Sequence, residues 1–457
     1  MANSLFILLT CVAYRQASRR FCQWLMGGFW LLVSIVLGSQ PSLAQIRLPL
    51  TEAIRLGMTY NTDVLVAVRR EAIATSNRQF GAPDRLPTLD LNVNQSNYFN
   101  QYNSPTSFVR GVYQDNALNG ALSGSWLVYN GGRVYFGQTR LDRLSQQATL
   151  EIQAVRQQVS RAVVMAYYRA VVEREKLLVR AESVALSKAR WIDFSTQERL
   201  GKASTFDVLQ AENLFLTDST SYLQQEIGVQ TAQNQLHTAI GWNRFDPLFL
   251  TDSLTPGPQP PAFANLSGKL LSQNLNLRSQ RLGVLISDTD VQLQKTALKP
   301  TVRLNSSLYQ SFTGTKFPDI PRINGNSTSL LLAGLSVTVP LLRVSETKRA
   351  IRQSELERDL TETTVKGAER RLLAEADLLG RSYQTQAKIV ALSVLLIQNT
   401  ARSLAIARNR LRSGFSNLIE YRSVQLAYTE AKLNRLQALY ELKLIESEAK
   451  QLVGNLN

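Results

Sequence analysis

The sequence predicts a mainly α-helical protein with a small β-sheet contribution, built as two copies of one structural unit. Long stretches without proline carry apolar residues at helical spacing, and short segments between them alternate apolar with polar residues. Similar segments also recur at a constant offset of 213 residues: "LPTLDLN" (86–92) matches "KPTVRLN" (299–305), and Gly201 matches Gly414. A fixed offset of this kind is typical of an internal structural repeat.

Residues 1–44 have the composition of an export signal. Three arginines precede an apolar run at 24–37, and the small residues at the end of the segment suit cleavage between Ala44 and Gln45. The alternative is an uncleaved N-terminal membrane anchor, which needs about 18 apolar residues. Both cysteines, Cys11 and Cys22, lie in this segment, so the exported chain would carry no disulfide and no cysteine-bound metal.

The first repeat is predicted to span residues 45–241. No proline occurs between 106 and 246, and apolar residues there step by threes and fours, as in a helix that packs against other helices. We predict, in order, a helix, hairpin strands at about 87–104 and 115–129, a long helix at 132–199 and a return helix at 204–240. At 1.5 Å per residue the long helix would reach about 100 Å.

The second repeat is predicted to span residues 264–457, after a linker at 242–263 that is marked by five prolines. We predict in it a helix, hairpin strands at about 300–313 and 328–342, a long helix at 346–412 and a return helix at 416–453. The motif "NGGR" (130–133) precedes the first long helix, whereas "LLRV" (341–344) stands at the matching place. The two strand-to-helix junctions are therefore expected to differ.

The predicted strands alternate strictly, as in "LDLNV" (89–93), which places apolar and polar side chains on opposite faces. A membrane β-barrel with a wet lumen has this pattern, and so does a soluble sheet with one packed face. The export signal favours the barrel, as do the predicted hairpin loops at 104–113 and 313–325, which are long on one side only. Four strands cannot close a barrel alone, and lipid does not tolerate an open sheet edge, so the sheet predicts self-association.

This organisation resembles the outer-membrane efflux protein family of Gram-negative bacteria, the TolC-like channels. The resemblance rests on "LTEAIRLGMTYNTDVLVAVRR" (50–70), on "LPTLDLN" and "WLVYNGGR" (126–133), and on a G-x-x-S/N-x-x-D/E turn that occurs in both repeats. It implies a homotrimer in which each protomer gives four strands to a twelve-stranded barrel in the outer membrane. It also implies that the long coiled helices form a tunnel across the periplasm, where most of the chain would lie.

The turn motif explains why a glycine interrupts each helical stretch. Glycine adopts the left-handed backbone conformation that lets a long helix end and the chain reverse. The resemblance implies that these two tips dock a periplasmic adaptor protein. The predicted tip residues are the two glycines and the alternative caps of the return helices: Gly201, Ser204, Thr205, Gly414, Ser416 and Asn417.

Six residues after each glycine stands a carboxylate, Asp207 or Glu420. The resemblance implies that both line a closed aperture at the tip. The alternative is a charge that only stabilises a helix N-terminus, by about 0.3–1 kcal/mol. Three residues further stand Gln210 and Ser423. Well-known members of the family carry an aspartate at the second of these positions, so this sequence departs from the family's second acidic ring.

The predicted function is a passive exit duct in a tripartite efflux or type I secretion system. The resemblance implies an adaptor (membrane fusion) protein and an inner-membrane transporter of the ABC or RND type as partners, and outer-membrane lipid around the barrel. Without residues 1–44 the chain has 48 Lys and Arg against 35 Asp and Glu, a net charge of +13. Acidic residues are interleaved with the basic ones, and no basic cluster has aromatic residues interleaved with it. We therefore predict no nucleic-acid partner.

Two other classes of function compete with the duct. The only histidine, His237, has no nucleophile or metal-ligand pattern around it, so no enzyme activity, cofactor or metal is predicted. An exported coiled-coil scaffold or surface filament would explain the long helices, but it would not explain hairpins at equivalent places in both repeats. The sequence does not identify the cargo.

Overall fold

The computed structural model describes residues 46–81, 86–102, 111–243, 246, 248–255, 266–317, 320–341 and 344–453. The predicted export signal with its cleavage site at Ala44 and Gln45 lies outside these ranges, as does much of the predicted linker. The chain divides into two units. In the small one, β1 (Ile46–Leu48) pairs in parallel with β4 (Leu248–Leu250).

The large unit contains all other described elements. Those of the first repeat are α1 (Leu50–Tyr60), α2 (Thr62–Phe80), β2 (Thr88–Tyr102), β3 (Gly111–Tyr129), α3 (Arg133–Arg199) and α4 (Thr205–Ile240). Those of the second are α5 (Leu266–Gln273), α6 (Leu275–Thr296), β5 (Thr301–Phe317), β6 (Ile320–Thr338), α7 (Val344–Arg412) and α8 (Leu418–Val453). Both repeats therefore have the same order of elements.

An asparagine divides the opening helical stretch of each repeat into two helices. Asn61 caps α2 by accepting a hydrogen bond from the Asp63 amide (2.9 Å), and its Nδ2 donates to the Ala239 carbonyl (2.8 Å). Asn274 caps α6 by accepting a hydrogen bond from the Leu277 amide (3.0 Å), and its Nδ2 donates to the Leu452 carbonyl (3.3 Å). Both the asparagines and their acceptors are 213 residues apart, so the repeat extends to individual hydrogen bonds.

Four strands form one antiparallel sheet in the order β2-β3-β5-β6. The hairpin between β5 and β6 pairs as far as Phe317 with Ile320, so the long loop predicted at 313–325 is wrong. Most of that segment continues the strands, because its threonines and aromatic and β-branched residues suit extended backbone. The loop between β2 and β3 lies outside the described residues.

The long helices form a layer in the order α4-α3-α8-α7, since α3 packs against both α4 and α8, and α8 against α7. Nearer the sheet the order is α2-α3-α6-α7. Apolar residues of α7 face its neighbours at heptad spacing, as Val365, Leu372 and Leu379 show. Further along, Val390 packs on residues of α8, and near the far end Leu404 packs on Tyr421.

Candidate functional site

The two faces of the sheet differ in polarity, except that Leu330 and Leu332 of the edge strand β6 lie on the polar face. Successive residues of a strand point to opposite faces, and the register fixes which residues share a face. One face carries large apolar side chains that are exposed: Leu89, Leu91, Val93, Leu118, Leu122, Trp126, Leu304, Leu308, Phe312, Leu331, Leu335 and Val337. A soluble sheet would bury such a face, so this surface requires an apolar environment.

The other face carries a network of polar side chains that links neighbouring strands. Asn119 of β3 accepts hydrogen bonds from the Tyr309 hydroxyl (2.8 Å) and the Ser311 hydroxyl (2.7 Å) of β5. Asp115 accepts from Thr315 (2.7 Å) and from Asn100 of β2 (3.1 Å). These bonds connect three of the four strands, so this face suits contact with water.

The helical layers and the sheet end at corresponding edges. One edge consists of β2, α2 and α4, and the other consists of β6 and α7. Both edge helices carry exposed apolar side chains in heptad series. On α4, Leu209, Leu216 and Leu223 are seven residues apart. On α7 there are two series: Leu378, Leu392 and Ile406 at spacings of 14, and Ile389 and Leu396 at a spacing of seven.

Among the described helices, α7 contains the one stretch that is long and apolar enough to cross a membrane, and most of that stretch is exposed. Its heptad pattern fits contact with another helix, and the helix has the charged residues of a coiled-coil surface along the rest of its length. The apolar stretch therefore marks a contact face of a coil.

The two glycine turns have nearly the same geometry. Gly201 (φ 71°) and Gly414 (φ 73°) adopt the left-handed conformation. In the first, the Lys202 amide donates to the Gln197 carbonyl (2.7 Å), and in the second the Phe415 amide donates to the Arg410 carbonyl (2.9 Å). These are helix-ending bonds of the Schellman type, so both long helices end in a compact reversal.

Of the predicted caps, Ser204 caps α4 and Asn417 caps α8. The Ser204 hydroxyl accepts a hydrogen bond from the Asp207 amide (3.2 Å), and the Asn417 side chain accepts one from the Glu420 amide (2.9 Å). Thr205 is the first residue of α4. Ser416 instead donates its hydroxyl to the Glu420 carboxylate (2.8 Å).

Of the two predicted gate carboxylates, Asp207 takes part in its cap, whereas Glu420 contributes only its backbone amide to the cap of α8. The Asp207 carboxylate accepts from the Ser204 amide (3.1 Å) and hydroxyl (2.7 Å), which completes a capping box. The exposed Glu420 carboxylate forms an ion pair with Arg410 (3.3 Å). Gln210 lies half-buried one turn along α4, and the Ser423 hydroxyl donates to the Glu420 carbonyl (2.8 Å).

A buried ion pair that the sequence did not reveal joins the two return helices. Arg422 of α8 binds Asp218 of α4 through two parallel hydrogen bonds of 2.7 Å, and their side chains are only 11% and 7% exposed. The two residues are 204 positions apart, so only the packing of the repeats against each other brings them together. Two-point pairing of a guanidinium with a carboxylate is strong and directional.

The contact between α3 and α8, where the repeats meet, is largely polar. Ser183 and Thr429 share a buried hydrogen bond (3.0 Å), and Lys432 pairs with Glu182. The Arg190 guanidinium lies over the Tyr421 ring, 5.2 Å from its centre. Leu186 of α3 adds an apolar contact to this interface by packing against the cluster that contains Tyr421.

Glu173 links α3 to α4 and has a lowered pKa. Burial of its carboxylate raises the pKa, but hydrogen bonds from Gln225 (2.6 Å) and Lys176 (3.0 Å) and the charge of Arg169 outweigh it. The net effect holds the pKa of Glu173 below its usual value of 4.5. This carboxylate is therefore charged at neutral pH.

His237 is buried near the end of α4, beside the ring of Trp242. In the described ranges, His, Asp and Glu form no cluster that could hold a metal ion.

Residues 266–455 match the family model described as outer membrane efflux protein. No curated protein matches the sequence. Among solved structures, the Campylobacter jejuni CmeC outer membrane channel has a TM-score of 0.75 at 16% identity, over 89% of this chain and 85% of that one. The open-state Neisseria gonorrhoeae MtrE outer membrane channel has a TM-score of 0.71 at 16% identity, over 89% of each chain. The Vibrio cholerae outer membrane protein VceC has a TM-score of 0.69 at 14% identity, over 89% of this chain and 96% of that one.

The fold is that of the outer-membrane efflux channels. The predicted fold class, mainly helical with two repeats and a four-stranded sheet, is confirmed. The predicted resemblance is confirmed too, since the second repeat matches an outer-membrane efflux family and about nine-tenths of the chain shares the channel fold. The matched family model is described as an outer membrane efflux protein, and the matched structures are outer membrane channels.

Proposed function

We infer that this protein is the outer-membrane exit duct of a tripartite efflux or type I secretion system. The observation that carries the proposal is the sheet, which exposes one apolar face and joins its strands through polar side chains on the other. The apolar face of β5 runs from Val302 to Phe312, about 33 Å along the strand. At a tilt of roughly 40° this spans about 25 Å, the height of the apolar band of membrane barrels.

The edges support assembly into a closed ring. A copy that places its β6 and α7 against β2 and α4 of the next copy would pair the open strands and cover both apolar helix stripes at once. Such a contact joins two different surfaces, so it repeats around an axis until the ring closes. Three copies supply the twelve strands of the trimer that the family resemblance implies.

The tips would dock a periplasmic adaptor, which joins the duct to an ABC or RND transporter in the inner membrane. Large apolar side chains are exposed around both glycine turns, where a soluble end would be polar: Leu200, Phe206, Phe415 and Ile419. The turn geometry is the same in both repeats, so a trimer would present six similar docking sites.

We assign Asp207 and Glu420 to the aperture at the tip, with Gln210 and Ser423 one turn further in. The Asp207 carboxylate takes part in a capping box, whereas the Glu420 carboxylate accepts from the Ser416 hydroxyl and pairs with Arg410. The Asp218–Arg422 pair would hold the return helices of the two repeats in the closed arrangement. Opening would then separate the repeats along the polar α3–α8 contact.

Single-channel recording in planar bilayers tests the duct. The variants Asp207→Asn and Glu420→Gln remove charge while keeping hydrogen-bonding side chains, so they separate a gate role from a structural one. Glu430→Gln, an exposed carboxylate on α8 ten residues further from the tip, is the matched control.

We expect a small wild-type conductance that divalent cations block, with a larger and less cation-sensitive conductance in the two tip variants only. Equal behaviour of tip and control variants would reject the gate. Folded, detergent-soluble protein without any conductance would reject the duct and favour a scaffold or filament.

A further inference from the structure

A cluster of three cations lies where the sheet meets the helices. Arg133, Lys299 and Arg303 line a cavity of about 340 Å³, which is more than ten times the roughly 30 Å³ that a water molecule occupies in the liquid. None of the cavity's lining residues is acidic, and none of the three cations has an ion pair within the described part of the chain. Three like charges at one cavity favour the binding of an anion.

The cavity also receives the N-terminus of α3, a helix of 67 residues. Its first turn contains no acidic residue. The Arg133 and Val134 amides donate to Asn130, and the N-cap, Gly132, has no side chain to satisfy the remaining amide. The partial positive charge of this helix end is thus added to the three cations. Helix N-termini of this kind bind phosphate and related anions through their backbone amides.

A second, independent observation is an unsatisfied amide group in the cavity wall. Asn130 is only 7% exposed, and its Oδ1 accepts a hydrogen bond from the Val134 amide (3.3 Å). This fixes the orientation of the amide, and the Nδ2 group has no hydrogen-bond partner among the described residues. A buried donor without an acceptor is costly, and an anion in the cavity would supply the acceptor.

The backbone holds these groups close together. Gly131 (φ 68°) packs so tightly that a Cβ atom there would lie 2.7 Å from the Lys299 Cβ and 2.9 Å from the Thr296 carbonyl oxygen. Arg303 is oriented by a hydrogen bond from its Nη1 to the Ser125 hydroxyl (3.1 Å). The cation cluster is therefore built into the fold.

We propose that this cavity is a binding site for an oxyanion, a phosphate, sulfate or carboxylate group, held by Arg133, Lys299, Arg303 and the Asn130 amide. Arg303 and its neighbours in the cavity wall belong to the polar face of the sheet. If that face lines the duct, as proposed above, the site lies at the inner mouth of the barrel and selects for anionic solutes. The luminal position rests on the proposed function, whereas the site itself does not.

The first test is the binding of inorganic phosphate by the purified exported protein in detergent, measured by titration calorimetry. Asn130→Asp keeps the acceptor for the Val134 amide but adds a negative charge to the cavity wall, and Arg303→Gln removes the positive charge of an exposed side chain. Lys316→Gln, at the far end of the same strand and on its other face, is the matched control.

We expect saturable binding by the wild type and by Lys316→Gln, and binding at least about tenfold weaker in the other two variants. Binding that does not saturate, or that all four proteins share, would overturn the proposal. The affinity in nanodiscs should be equal with phosphatidylglycerol and with phosphatidylcholine. A lower affinity in phosphatidylglycerol that Arg303→Gln abolishes would support the same site and identify an anionic lipid headgroup as its occupant.

The second test is the reversal potential of the channel in a KCl gradient. We expect Arg303→Gln to shift the preference toward cations relative to the wild type and to Lys316→Gln, which should agree with each other. Currents with unchanged selectivity and no phosphate binding would reject the site and leave the duct intact. Phosphate binding by a protein that conducts no ions would keep the site and reject the duct.

Discussion

At the scale of single residues, the Asp218–Arg422 ion pair is the contact whose loss should cost most. Removal of one partner leaves the other charge buried without compensation, which costs about 3–5 kcal/mol. We therefore expect Asp218→Ala to lower the midpoint of thermal unfolding clearly, as measured by circular dichroism on the detergent-solubilised protein.

The control for this prediction removes both charges. Asp218→Leu combined with Arg422→Met replaces the pair by apolar side chains, and such replacements are often neutral or stabilising. The double variant should thus regain most of the stability that Asp218→Ala loses. If Asp218→Ala unfolds at the wild-type temperature, the pair is not a structural link between the repeats.

Glu173 should make the stability of the α3–α4 pair depend on pH. Because its folded pKa is lowered, its contribution is fully present above the unfolded pKa of about 4.5 and is lost as the pH falls through the folded value. Glu173→Gln should lower the unfolding midpoint at neutral pH, and the difference from wild type should shrink in acid below about pH 4.5. Glu175→Gln, whose partner is the adjacent and half-exposed Arg174, is the control and should show a smaller difference.

The caps of the return helices could be predicted from sequence because capping is local. Ser204 and Asp207 are three residues apart, and the capping box depends on that spacing alone. The Asp218–Arg422 pair could not be predicted, since it depends on the rotation of two helices from different repeats. The basic cavity was missed for the same reason: Arg133, Lys299 and Arg303 come from different elements.

At the scale of elements, the glycines of the turns and of the junction should respond differently to substitution. A residue other than glycine with positive φ costs about 1–3 kcal/mol. Gly201 and Gly414 have nothing within 4 Å of an added Cβ, so Gly201→Ala and Gly414→Ala should cost that strain only. Gly131→Ala adds close contacts with Lys299 and Thr296, so it should lower the unfolding midpoint further.

Two substitutions control for the effect of glycine itself. Gly283→Ala, in the interior of α6 with open space around it, should be neutral or stabilise by up to about 1 kcal/mol. Gly201→Asn should cost less than Gly201→Ala, because asparagine tolerates the left-handed conformation. Equal losses in Gly131→Ala and Gly414→Ala would show that the junction is looser than its geometry indicates.

The long helices and strands could be predicted because their signals extend over many residues. The predicted helix at 132–199 corresponds to Arg133–Arg199, and the one at 346–412 to Val344–Arg412. The division of the opening helices at Asn61 and Asn274 was missed, although these residues have the offset of 213 and its repetition in the sequence is a usable signal. The predicted loop at 313–325 was too long, because its prolines and glycines indicated a turn where most of the residues pair as strand.

At the scale of the whole molecule, the exposed stripes on α4 and α7 explain why one copy is incomplete. Each stripe follows a heptad, and a heptad stripe gains its free energy only against a second helix. The stripes lie at opposite ends of the helix order, so one copy cannot join its own stripes without bending the whole layer. Association of copies covers both stripes without bending the layer.

Charges placed in either stripe should therefore prevent assembly without unfolding the helices. A carboxylate buried in a coil seam without a partner is strongly unfavourable. We expect Leu216→Asp on α4 and Leu392→Asp on α7 to convert the assembled protein into monomers, as measured by analytical ultracentrifugation in detergent, with little change in helical content. Leu178→Asp, an equally exposed leucine on the inner helix α3, should leave the assembly intact because α3 already has neighbours on both sides. If all three variants fail to assemble, the added charge perturbs the protein wherever it is placed and the stripes are not the cause. If all three still assemble, the copies contact each other at another surface.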